Sequence, residues 1–139
     1  GDKIKVRHIL RKPIVSDEAI EKVRESLPLF NQKSSENAAY IVSSFKKGIS
    51  GTLKQDQMAK EGDLWGAYDL GLQNMHVLFK ARELGYDTLI MGIRDTEVLR
   101  NYFHIPEDEI ILPVIAIGKR EGDVLTKPRK EVSEILTVK

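Results

Sequence analysis

The sequence predicts an α+β domain in which helices cover one layer of sheet. Three features carry that expectation. Lys3 to Leu10 alternates cation and aliphatic, the period of a half-buried strand. Leu64 to Leu84 is long and apolar on most sides, as a helix buried on most sides should be. Two short apolar runs, Thr88–Met91 and Ile110–Ile117, read as buried strands in the same half of the chain.

Taken in order, the first strand is interrupted by Pro13, and Ser16-Asp17-Glu18 marks a helix start with acidic residues facing the positive end of the dipole. Ile20, Val23 and Leu27 form the stripe of that helix, and Pro28 stops it. A polar loop over Asn31–Asn37 leads to a strand over Ala38–Phe45. Lys46–Asp63, with Gly48, Gly51 and Gly62, is a loop of the length that forms functional lids or stays disordered. In the long helix that follows, Gly66, Ala67 and Gly71 leave room for a second backbone. Gly85 ends it, the strand Thr88–Met91 follows, and Gly92 stands at the strand's exit. Asp95 caps a short helix through Phe103, and Pro106 sits in the next turn. Pro113 cannot donate to a ladder, so it belongs at an edge or near a strand start. Glu131–Lys139 is a polar tail.

The chain of 139 residues is read as one domain, 1–139, with enough length to bury a core unaided by metal or disulfides. Lys and Arg number 22 against 21 Asp and Glu, a balance that calls for neither nucleic acid nor an anionic membrane. Lys3, Lys5, Arg7, Arg11 and Lys12 are the cations a nucleic-acid module would use, but no aromatics interleave them. The absence of cysteine removes disulfides and thiolate chemistry and fits a reducing cytosol. No apolar run is long enough to span a bilayer, so no membrane partner is expected.

Side chains that could act alone are scarce. His8, His76 and His104 are far apart and outside any metal-ligand spacing, so no metal is expected; His76 reads as a core or interface residue. Gly48-Ile49-Ser50-Gly51 lacks the spacing of a nucleophile elbow. No phosphate loop or dinucleotide fingerprint occurs. Asp69 and Asp87 have no second carboxylate at acid–base spacing and read as capping or surface groups. Chemistry would then come from a bound cofactor. A glycine at a strand exit is where backbone N–H groups approach a flat or phosphorylated ligand, and Gly118-Lys119-Arg120 and Lys127-Pro128-Arg129-Lys130 offer cations for a phosphate.

Four segments in this order resemble the nitroreductase-like FMN-dependent oxidoreductases over about residues 28–130. They are Pro28-Leu29-Phe30-Asn31 with Glu36-Asn37-Ala38-Ala39, Trp65-Gly66-Ala67-Tyr68-Asp69-Leu70-Gly71-Leu72-Gln73-Asn74, Glu83-Leu84-Gly85-Tyr86-Asp87-Thr88-Leu89-Ile90-Met91-Gly92, and Ile115-Ala116-Ile117-Gly118 followed by Lys127-Pro128-Arg129-Lys130. The resemblance implies a mainly antiparallel mixed sheet flanked by helices, with the helix 64–84 at the centre of a homodimer. It implies FMN as cofactor and NADH or NADPH as hydride donor. The flavin N5 carries the chemistry, with no catalytic side chain, and nitroaromatics or quinones serve as acceptors in the cytoplasm.

By position, Leu89 and Ile90 would pack beside the isoalloxazine, and the N–H groups of Met91 and Gly92 would point towards N5 and O4. Lys127, as a point charge, and Arg129, as a fork, would hold the phosphate. Trp65 and the loop before it would stand at the acceptor pocket if not in the core or interface. Met91 replaces an acidic residue found in several members. The family's R-R-S-x-R opening and its P-S-x-x-N-x-Q-P-W-like stretch have no counterpart. The domain is therefore expected to be N-terminally incomplete, and the alternative is a non-catalytic dimer of the same fold that binds flavin weakly or not at all.

Overall fold

The structure, a computed structural model, describes residues 16–48, 62–123 and 126–139. The strand expected at Lys3–Leu10, with its cations, and most of the loop 46–63 lie outside the described residues.

Helix α1 (Asp17–Glu25) begins where the Ser16 hydroxyl accepts from the Ala19 N–H at 3.2 Å. Its inner face buries Ala19 and Val23, and Leu27 continues that stripe. The expected loop at 31–37 is in part a helix, α2 (Leu29–Ser34). The turns are closed locally: the Gln32 N–H donates to the Pro28 carbonyl at 3.0 Å and the Ser35 N–H to that of Asn31 at 3.1 Å. Asn37 then takes a positive φ of 60° and turns the chain into β1 (Ala39–Ile41).

Two strands read as continuous are each divided. The run 38–45 becomes β1 and β2 (Ser44–Lys46), and the apolar run 110–117 becomes β4 (Glu109–Ile111) and β5 (Val114–Gly118). Ile41 pairs with Ile115, whereas Ser44 pairs with Ile111. Val42 and Ser43 thus face Leu112, Pro113 and Val114, one residue more on the second strand, which is the arrangement of a bulge. Pro113 stands in it, immediately before β5, where its missing N–H costs no ladder bond. The Leu112 N–H still reaches the Ser43 carbonyl at 2.9 Å. All ladders among the described residues are antiparallel: β1-β5-β3 in one sheet and β2-β4 in the other, with β3 at Asp87–Met91.

Helix α3 (Asp63–Glu83) matches the expected long helix to within a residue. Gly85, at φ 81°, makes the reversal into β3. Helix α4 (Thr96–Phe103) is capped by Asp95, whose carboxylate accepts from the N–H groups of Glu97 and Val98. The Pro106 turn closes with a bond from the Glu109 N–H to the Pro106 carbonyl. A four-residue helix, α5 (Val132–Ile135), interrupts the polar tail.

Val23 from α1, Leu27 just beyond its end, Tyr40, Met91, Leu99 from α4, Ile105, Ile111, Val114 and Ala116 form the core between the two helices and the sheet. Helix α3 packs differently. Leu70 and Ala81 are its buried residues, while Leu64, Tyr68, Leu72, Met75 and Phe79 are exposed. At 3.6 residues per turn those five fall within an arc of about 80° and run ~22 Å along the axis. The close approach expected at Gly66 is made by a ring: an added Cβ would lie 2.6 Å from Phe45, and at Gly71 it would meet nothing within 4 Å.

Candidate functional site

The residues of β3 alternate between the two faces of an edge strand. Met91 turns into the core and is 1% exposed. Leu89 and Ile90 are neighbours in the strand, so their side chains leave on opposite faces, and both are exposed. The β3–β5 register ends at Met91 opposite Val114, so Gly92 begins the connection to α4 one residue beyond it. Ile90 is 53% and Ile93 65% exposed, flanking Gly92 with apolar surface. A Cβ at Gly92 would meet nothing within 4 Å, so the space above its backbone is open.

That connection is short and held from three sides. One terminal nitrogen of Arg94 donates to the Gly92 carbonyl at 2.7 Å and the other to the Ile111 carbonyl at 2.5 Å. The Asp95 N–H donates to the Ser26 carbonyl at 2.7 Å, joining the loop to the end of α1. The Asp95 carboxylate at the same time caps α4. The exit of β3 is therefore an ordered backbone with an apolar margin, able to receive the edge of a flat ligand.

The cations are not gathered there. The antiparallel register sets Gly118 opposite Asp87, which puts Lys119 and Arg120 at the end of the strand away from Gly92, ~20 Å along it. Lys119 is already engaged: its ammonium donates to the Gly85 carbonyl at 2.7 Å and lies 4.5 Å from the centre of the Tyr86 ring. Lys127 and Arg129 belong to a segment exposed along its whole length, 126–139.

Trp65 is half-buried at the start of α3, its ring 5.8 Å from that of Tyr68. The loop before it lies outside the described residues. His76 is exposed on α3 and so is not a core residue, and His104 ends α4 in the left-handed conformation. Asp69 is on the surface, and Asp87 pairs with Arg82 at 2.7 Å. Among the described residues no cluster of His, Asp and Glu could hold a metal ion, and no helix is long and apolar enough to cross a membrane. Arg94 was missed by sequence reasoning. Its signal is slight: one cation between a strand-exit glycine and a helix cap, in a connection too short to stay unpacked.

Comparison with known proteins gives a likeness of fold. The chain is similar to the crystal structure of a nitroreductase family protein from Clostridium difficile 630, with a TM-score of 0.68 and 18% identity, over 99% of this chain and 86% of that one. The chain has the nitroreductase fold, with its helices, antiparallel sheets and long helix. No protein-family model matches it, and no curated protein does.

Proposed function

We propose that the chain is an FMN-dependent oxidoreductase that takes hydride from NADH or NADPH and passes it to a nitroaromatic, quinone or similar acceptor. The observation that carries this reading is the exit of β3, where an ordered backbone at Gly92 and Ile93 lies open beside Ile90. Bound FMN supplies the hydride chemistry, and the protein supplies orientation and electrostatics. Leu89 and Ile90 provide the apolar contact for the ring system, on whichever face of the strand it rests. The backbone N–H groups of Met91 and Gly92 serve its polar edge. Lys127 and Arg129 hold the phosphate, the guanidinium as a fork and the ammonium as a point charge.

The protein works as a homodimer, one chain against another through α3. The apolar stripe from Leu64 to Phe79 supports this, because no part of the described chain covers it. Such a stripe has the character of the desolvated centre of a subunit interface. In this reading the protein is cytoplasmic, a single domain over 1–139.

A second reading has its own support. Lys127 and Arg129 stand in a segment exposed along its whole length. A protein that keeps the fold and the dimer but has lost flavin would look the same. Passing the purified protein through a desalting column after adding FMN separates the two. Retained flavin absorbance that bleaches with NADH or NADPH is the expected result. A folded but colourless eluate overturns the enzyme reading and leaves the second.

A further inference from the structure

Arg94 is unusual in what it bonds to. Its two terminal nitrogens donate to main-chain carbonyls on two different elements, Gly92 after β3 and Ile111 at the end of β4. Its Nε is buried without a hydrogen-bond partner, and among the described residues it makes no ion pair. The neighbouring carboxylate, Asp95, is occupied as the cap of α4. A guanidinium that forgoes a carboxylate to span two carbonyls fixes a backbone, and it does so with a planar fork that an ammonium cannot reproduce.

The consequence falls on one peptide unit. The Gly92–Ile93 peptide is planar and trans, so its C=O and N–H point in opposite directions. With the Gly92 carbonyl held at Arg94, the Ile93 N–H is turned away from the guanidinium. It donates to no group among the described residues, and the Ile93 side chain beside it is exposed.

We propose that Arg94 is a positioning residue, which holds the Gly92–Ile93 peptide so that the Ile93 N–H is presented to a hydrogen-bond acceptor on the edge of a bound flat ligand. This rests on the flavin reading above for the identity of that ligand. The Ile93 N–H then joins those of Met91 and Gly92 as a donor at this exit.

The test uses the full chain, with Arg94→Ala and Arg94→Lys beside the wild type, and FMN as the probe. The first measurement needs no flavin: the 15N order parameters of Gly92 and Ile93. They should be near 0.85 in the wild type and fall towards the flexible range, below about 0.6, in Arg94→Ala. The second is FMN affinity from fluorescence quenching, with the visible circular dichroism of the bound flavin. Arg94→Ala should bind at least tenfold more weakly with an altered dichroism, Arg94→Lys should recover only part of this, and added guanidinium should restore the alanine variant. Recovery by a free guanidinium would assign the effect to the planar fork itself rather than to the packing of the side chain.

Unchanged order parameters in Arg94→Ala overturn the proposal whatever the flavin does. Unchanged FMN affinity and dichroism in that variant overturn it as well, with the flavin reading intact. A wild type that retains no FMN overturns the flavin reading and the ligand part of the assignment, and the order parameters then still decide whether Arg94 holds the peptide.

Discussion

Helices α1 and α4 on one side and α3 on the other solve the same problem in different ways. The short helices each carry one apolar stripe, and the chain's own sheet covers it: Val23 and Leu27 on one, Leu99 on the other, with Leu99 fully buried at 0% exposure. Helix α3 carries two. One, through Leu70 and Ala81, packs on the chain's own strands, and the other leaves Phe79 69% exposed. A folded chain that keeps such a stripe in water forgoes ~25 cal/mol for each Å² of apolar surface it could bury. The difference teaches that α1 and α4 serve folding alone, whereas α3 folds the chain with one face and keeps a second apolar face for the proposed pairing of chains.

Substitutions can break this comparison. Leu99→Ala should have the largest effect, a loss of about 2–5 kcal/mol of stability, because the surrounding core collapses only partly into the space. Urea unfolding measures it, and Leu72→Ala on the outer stripe should leave the stability of the isolated chain within ~0.5 kcal/mol. Phe79→Glu sharpens the contrast from the other side. A carboxylate at the C-terminal end of the proposed shared face should weaken association by about 2–4 kcal/mol, read by sedimentation, with the circular dichroism of the fold retained.

Smaller effects follow where α3 and α4 touch their surroundings. Gly66→Ala should cost about 1–3 kcal/mol, since the added methyl meets the buried Phe45 ring at 2.6 Å and that ring must shift. The same change at Gly71, where the space is open, should instead disturb only association, which tests whether a second chain comes close there. Asp95→Ala should cost about 1 kcal/mol by removing the cap from α4. Thermal unfolding resolves both.

The sequence shows the fold where local signals agree. The cap Asp95, the stop at Gly85 and the apolar length of α3 each fix a boundary through chemistry within a few residues. It misleads where a tertiary event divides a continuous pattern. Pro113 points to a strand start inside Ile110–Ile117, but that the run divides between two sheets there depends on the register against Val42 and Ser43. The helix at Leu29–Ser34 was hidden for a related reason, since serine and asparagine suggest loop until the backbone bonds to Pro28 and Asn31 that close its turns are counted. The exit of β3 could be placed from its glycine, yet Arg94, which holds it, could not. Its partner Ile111 is distant in sequence and offers only a carbonyl, which any residue would offer equally.

The account stands most directly on the second face of α3, and the mass of the wild-type protein in solution tests it. Sedimentation equilibrium at micromolar concentration should return twice the 15.8 kDa of one chain, with Phe79→Glu returning a single chain under the same conditions. A wild type that stays at 15.8 kDa across the concentration range, with or without added FMN, would contradict it.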